Sequence, residues 1–238
     1  MTGCVWTQAD LMRVHVDALF THDTQGRLLC VNEPGGAPAP RMFLGRTRAG
    51  NVLRTRADLA PGLVAKIAQL CGSEPSLEDD SERPRCAVAL IELLERHGTV
   101  RQVWRGPAYR LAPPAGLLGG GVTELTPEAV GLLAAFPEWV DELRAGLRQP
   151  FFALIEHGMA VSICGSVRIT PAAHEAGVET LPEHRGRGCA RRVVAAWAQR
   201  VQTLGAVPLY STSFANEASR AVAAASGAQL YGVDFHVT

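Results

Sequence analysis

Thr180-Leu181-Pro182-Glu183-His184-Arg185-Gly186-Arg187-Gly188-Cys189-Ala190 is the stretch that decides how this chain is read. A β run, 174–180, leads into it. A long helix, 188–204, leads out, with Ala190, Val193, Val194, Trp197 and Val201 forming its core stripe. A Gly/Arg loop at such a strand-to-helix junction aims consecutive backbone N–H groups at one point, at the positive end of the helix dipole. That makes an anion site, and pyrophosphate is its natural occupant. Gly186 and Gly188 let the backbone approach phosphate oxygens with no Cβ in the way. Arg185, Arg187, Arg191 and Arg192 add positive charge around the same turn. No lysine followed by Ser or Thr is present, and the glycine spacing is not GxGxxG, so a triphosphate or dinucleotide loop is disfavoured.

Downstream of this junction, 207–211 reads as a strand, 216–226 as a helix and 229–237 as a closing strand. Upstream, 151–156 and 159–168 are β runs joined at His157-Gly158. Thr126-Pro127-Glu128 offers an N-cap with Pro at N1, opening helical segments through Arg148 that bend near Pro137. The second half therefore runs β-α-α-β-β-β-α-β-α-β. Ala112 to Gly121, Ala-Pro-Pro-Ala-Gly-Leu-Leu-Gly-Gly-Gly, is the clearest break in the chain. It divides an N-terminal α/β region, 1–115, from a second domain, 116–238.

The first half is also mixed α/β. A helix is expected over 7–20 with Thr7 as N-cap, a strand over 27–32, and a hairpin from 41–47 and 51–56. Helices follow from Pro61 to about Cys71 and over 86–96, the latter ended by Gly98, and then a strand over 100–104. Arg46, Arg48, Arg54 and Arg56 alternate along the hairpin, as residues of a solvated sheet face do. Trp104, Arg105 and Tyr109 read as core packing, with an acceptor cleft as the alternative.

The 238 residues are 47% apolar and 19% charged, enough to bury a substantial core. Basic and acidic residues cancel, 23 against 23, which argues against a nucleic-acid partner. Lys66 is the sole lysine beside 22 arginines, mainly a mark of genome composition with a smaller hint of anion recognition. No run of 18 apolar residues predicts a membrane span, and Met1-Thr2-Gly3-Cys4-Val5-Trp6 lacks the basic start of a signal peptide. Cys4, Cys30, Cys71, Cys86, Cys164 and Cys189 are scattered with no CxxC pair. Neither a metal site nor a disulfide scaffold is expected, and the reduced cytoplasm is the expected location.

Arg185-Gly186-Arg187-Gly188-Cys189-Ala190 resembles the R/Q-x-x-G-x-G/A signature of the GCN5-related N-acetyltransferases (GNAT), with the usual Pro182 upstream. Asn216 and Gly227 are spaced as in the family's second motif, an Asn near the start of a helix and a Gly just after it. The element order from about Val122 onward is similar to the family's core. The resemblance covers roughly the second half and implies a GNAT-like central sheet flanked by helices. A degenerate GNAT-like half is its reading for the first.

What the resemblance implies chemically is transfer of an acetyl group from acetyl-CoA to a primary amine by direct attack. The acceptor is a small molecule or a peptide, and no metal is involved. Arg185, Gly186, Arg187, Gly188, Cys189, Ala190 and Arg191 would hold the pyrophosphate, largely through main-chain amides. Val178, Glu179 and Thr180 would pair with pantetheine, and Asn216 would contact the ligand. A backbone N–H of the strand would stabilise the oxyanion. An amine with a pKa of roughly 10 is mostly protonated at neutral pH and needs a base. Glu175 and Glu179 share a strand face, and Glu175 is preferred because it lies farther from the pyrophosphate. Glu179 is read as a main-chain contributor with a solvated side chain, and Cys189 as the occupant of the variable slot. Many relatives place a Tyr seven residues after the motif Asn as acid for the thiolate, whereas here that residue is Ala223. Ser213, Ser219, Tyr210 and Tyr231 remain alternatives. A non-catalytic acyl-CoA sensor and an enzyme for another acyl-CoA share all these motifs.

Overall fold

The computed structural model describes residues 6–78, 83–112 and 121–238. Residues 113–120 of the expected break lie outside them. In chain order the elements are α1 (Gln8–Leu19), β1 (Phe20–His22), β2 (Leu28–Val31), β3 (Met42–Thr47), β4 (Gly50–Thr55), α2 (Pro61–Gly72), α3 (Ala87–Glu95), β5 (Val103–Arg110), β6 (Val122–Glu124), α4 (Pro137–Arg144), β7 (Phe151–Glu156), β8 (Met159–Ile169), β9 (Ala173–Thr180), α5 (Cys189–Thr203), β10 (Val207–Ser211), α6 (Glu217–Ala225) and β11 (Gln229–Val237). Two 3-10 turns, Pro127–Leu133 and Pro182–His184, precede α4 and α5. The mixed α/β class and the element order of the second half follow the sequence. Among the described residues no helix is long and apolar enough to cross a membrane.

The described residues up to Ala108, with Ser211–Asn216 and Leu230–Thr238, form one compact unit. Its strand order is β4-β3-β11-β5. Thr7 begins α1 with a capping box: its hydroxyl accepts the Asp10 N–H at 3.1 Å, and the Asp10 carboxylate accepts the Thr7 N–H at 3.1 Å. β3 pairs antiparallel with both β4 and β11, so it is an interior strand. Met42 and Leu44 pack with Leu63, Ile67, Leu90 and Leu94 of α2 and α3 on one face. On the other, Gly45 has no room for a Cβ beside Met12 of α1.

With both faces covered, the expected solvated arginine face does not form at Arg46. That side chain is buried and lies 3.4 Å from the Glu74 carboxylate. Glu74 also accepts the backbone N–H groups of Arg85 and Cys86, each at 3.0 Å. β5 begins three residues later than the expected strand and runs on through Gly106-Pro107. A Cβ at residue 106 would strike the Thr212 carbonyl oxygen, so only glycine admits this approach. Trp104 stacks on His236 at 5.7 Å, in keeping with the packing reading.

Tyr109–Tyr210 and Glu217–Gln229 form the second unit, with strand order β10-β9-β8-β7-β6. β9 and β10 are parallel, and the other neighbours are antiparallel. His157 and Gly158, both at positive φ, make the two-residue turn between β7 and β8. Val193, Trp197 and Val201 of α5 pack with Phe152, Leu154, Cys164 and Tyr210 on one face of these strands. Leu133, Phe136 and Leu143 pack with Phe151, Ala153 and Ile163 on the other. Each fully buried side chain of this kind contributes roughly 1.5–3 kcal/mol. Pro137 opens α4 rather than bending a longer helix, and Thr126 makes no side-chain cap bond. α6 ends as a Schellman motif: Gly227, at φ 65°, donates to Ala224 O at 3.1 Å, and Ala228 donates to Ala223 O at 3.0 Å.

Candidate functional site

The site begins where two parallel strands separate. β10 pairs with β9 only at Val207↔Ala173, Pro208↔His174 and Leu209↔Glu175. β9 continues to Thr180, still paired with β8 along its other edge from Gly165↔Gly177 to Ser162↔Thr180. The N–H of Leu181 donates to Val161 O at 3.0 Å. That bond sets the phase of the antiparallel ladder, in which alternate residues turn their N–H and C=O groups to the neighbour. Gly177 and Glu179 therefore face β8, and Ala176, Val178 and Thr180 present their backbone to the opened edge. Of the three expected pantetheine residues, Val178 and Thr180 lie with backbone toward the opening, and Glu179 turns its backbone to β8.

Side chains alternate with the opposite phase. His174, Ala176 and Val178 stand on the α5 face, where Ala176 and Val178 join the α5 core. Trp197 Nε1 on α5 donates to Ser166 Oγ at 3.0 Å, and Ser166 Oγ lies 2.9 Å from His174 Nδ1. Glu175, Gly177 and Glu179 share the other face. Trp139 of α4 reaches it, donating its indole N–H to Glu179 Oε2 at 3.0 Å. The side chain expected in solvent is therefore held. Burial pushes the Glu179 carboxyl up, with Trp139 pulling it down and Glu138 pushing it up in smaller measure. Glu175 is buried at 2% exposure, a carboxylate enclosed at the apex of the opening.

Beyond Thr180 the chain makes the 3-10 turn and then the glycine loop. Gly186 and Gly188 sit at φ 72° and 76°, conformations that glycine takes without strain. The first backbone bond of α5 is Arg192 N–H to Gly188 O at 3.3 Å. The N–H groups of Gly188, Cys189, Ala190 and Arg191 are thus the four that an α-helix leaves unmatched at its start. A Cβ built on Gly186 or Gly188 meets nothing within 4 Å, so the loop surface is open. Arg185, Arg187 and Arg191 are exposed around it, with Arg185 Nε donating to Thr180 O at 3.2 Å. Cys189 turns inward, packed with Val193 and Trp197.

Of the alternatives for an acid, the structure brings two together: the Tyr210 hydroxyl lies 2.7 Å from Ser219 Oγ on α6. Ala223, one turn further on α6, is buried in the same cluster. Tyr231 and Ser213 belong to the first unit, as does Asn216, which stands directly before α6 and donates its N–H to Ser213 O at 3.1 Å. Trp139, Ser162 and Ser166 were not anticipated. Ser162 Oγ donates to Glu179 O at 3.2 Å and lies 2.8 Å from Thr180 Oγ1, fastening the end of β9. Isolated Trp and Ser residues carry no spacing signal, and only the fold sets them beside β9.

The FR47-like protein family matches residues 162–233, which run from β8 through the glycine loop into β11. Among curated proteins no sequence match is found. An acetyltransferase of the GNAT family from Colwellia psychrerythraea aligns with a TM-score of 0.51 at 14% identity, over 97% of this chain and 96% of that one. A GCN5-related N-acetyltransferase-like protein from Streptococcus suis gives 0.47 at 16% identity, over 84% and 85%. A chain assigned to the GNAT acetyltransferases from Novosphingobium aromaticivorans gives 0.48 at 19%, over 58% of this chain and 66% of its own length. At these identities the likeness is one of fold. Residues 162–233 thus resemble the FR47-like proteins, and the fold of the chain is similar to that of a GNAT acetyltransferase.

Proposed function

We propose that the chain is an N-acetyltransferase, moving an acetyl group from acetyl-CoA to a primary amine of a small molecule or peptide. The observation that carries this reading is the parting of β9 and β10 beyond Glu175 and Leu209, directly upstream of the Gly186/Gly188 turn. An extended pantetheine arm can pair with the opened backbone of Ala176, Val178 and Thr180 as an added strand does. Its pyrophosphate then meets the N–H groups of the 186–191 loop, with Arg185, Arg187 and Arg191 around it. Glu179 is retained as a ligand contact, through its carboxylate rather than its main chain.

The amine attacks the thioester carbonyl of acetyl-CoA directly, and the C–S bond breaks as the CoA thiolate leaves and takes up the second proton of the nitrogen. Glu175, at the apex of the opening, takes the proton of the incoming ammonium, directly or through water. An N–H group on the opened edge of β9 donates to the developing oxyanion. Ala223 at the family's acid position favours a second reading, an acyl-CoA sensor that binds without turnover.

Isothermal titration with acetyl-CoA, with 3′-dephospho-CoA and ATP as comparators, tests the ligand. Binding of acetyl-CoA should disappear in Gly188→Glu, where a carboxylate and a strained φ both oppose phosphate. Absence of binding to the unmodified chain would overturn the reading. Turnover assays with several acyl-CoAs and amines separate acetyl transfer from a sensor or from use of another acyl group.

A further inference from the structure

Three side chains from separate elements meet beside the glycine loop. Glu156 ends β7, His184 closes the 3-10 turn, and Cys189 opens α5. A carboxylate oxygen, an imidazole nitrogen and the thiol sulfur all lie within 4.8 Å of one another. His184 Nδ1 stands 3.5 Å from Glu156 Oε2. Cys189 is buried, and the other two are half-buried.

We propose that Glu156, His184 and Cys189 form a binding site for a borderline-soft divalent cation of the Zn2+ type. The donor set is one oxygen, one nitrogen and one sulfur, which suits Zn2+ and excludes Mg2+ and Ca2+, cations that take oxygen ligands. With Zn–ligand bonds of about 2.0–2.3 Å, neighbouring corners of a tetrahedron stand roughly 3.3–3.8 Å apart. The His184–Glu156 separation is already in that range, and the thiol needs to close by no more than about an ångström. An ionised Glu156 and a thiolate at Cys189 together balance the charge of the cation, and the thiol releases its proton on binding. Three protein ligands leave a fourth position for water or an anion.

Arg187 is the group that competes. Its NH1 lies 3.1 Å from His184 Nδ1, so a cationic guanidinium now rests against this acceptor set. The Arg187 side chain is exposed, and its departure to solvent costs no packing. The sequence predicts no metal site because it holds no CxxC pair; here each ligand comes from a different element, and only the fold assembles them. The site shares Arg187 and Cys189 with the loop read as holding the pyrophosphate, and its test reads metal binding without acyl transfer.

Titration of the full chain, stripped with chelator, with Co2+ alone tests the site. The expected result is a near-ultraviolet thiolate-to-cobalt charge-transfer band with the visible bands of tetrahedral cobalt, bleached by one equivalent of Zn2+. Cys189→Ala should abolish the charge-transfer band. Glu156→Gln and His184→Gln should keep a thiolate band and weaken Co2+ binding at least about tenfold. A six-coordinate spectrum without a thiolate band, or a band that persists in Cys189→Ala, overturns the proposal. Should Cys189→Ala fail to fold by circular dichroism, the two polar variants decide: unchanged Co2+ affinity in both overturns it.

Discussion

Trp197 and Ser166 are joined by a buried hydrogen bond of 3.0 Å that ties α5 to β8. The indole N–H donates to Ser166 Oγ, which in turn lies 2.9 Å from His174 Nδ1. Burial holds the His174 pKa below the usual histidine value. A folded-state pKa below the unfolded one leaves full stability above about pH 6.5 and removes it as pH falls below that. Thermal melts at pH 7 and pH 5 should show a smaller loss for His174→Asn than for the parent chain. Ser166→Ala should cost about 1–3 kcal/mol in urea unfolding, because it orphans the indole and the imidazole together.

Alanine should be opposed at Gly177 and Gly186 for different reasons, a clash at the first and a left-handed backbone at the second. A Cβ at residue 177 would lie 2.8 Å from Trp139 Cη2 and in collision with Val167. Gly177→Ala should therefore destabilise by about 1–3 kcal/mol and disturb the Trp139 bond to Glu179. Around Gly186 there is open space, so Gly186→Ala should cost only its left-handed φ, about 1–2 kcal/mol. Chemical denaturation together with tryptophan fluorescence distinguishes the two, since only Gly177→Ala should shift the emission of Trp139.

Glu175→Gln tests the base. Turnover should fall by about two to three orders of magnitude, with acetyl-CoA affinity retained. A variant whose rate and pH profile match those of the parent would remove Glu175 from the chemistry.

Glu74 holds the first unit together at one point. Its buried carboxylate accepts two backbone N–H groups and lies beside the buried Arg46. Glu74→Gln should cost about 3–5 kcal/mol, because it strips a buried guanidinium of its counter-charge. Equilibrium unfolding measures the difference.

Burial pushes the Tyr210 phenol up to about 12, against a smaller pull from Ser219. A raised folded-state pKa leaves its contribution intact below about pH 10 and removes it as pH rises toward 12. About 1.4 kcal/mol of alkaline destabilisation should follow by pH 11, absent in Tyr210→Phe, as read from melts between pH 9 and 11.

The hairpin at His157-Gly158, the capped start at Thr7, the glycine loop and the order of the second half were legible because each rests on neighbouring residues. A turn needs its φ angles, and a helix start needs its cap, within a few positions. Arg46 and Glu179 were misread as solvated for a single physical cause. Strand alternation separates two faces, and the sequence does not say whether a helix covers each of them.

By itself the sequence determined local conformation: where strands and helices begin, and that the 185–191 turn gathers N–H groups at a helix start. Only the tertiary structure decided that β9 and β10 part after Glu175 and Leu209, and that Trp139 holds Glu179. It alone set Glu156, His184 and Cys189 within reach of one another, and paired β11 with β3. Backbone geometry propagates over a few residues, whereas strand pairing and side-chain meetings depend on how distant segments bury their apolar faces together.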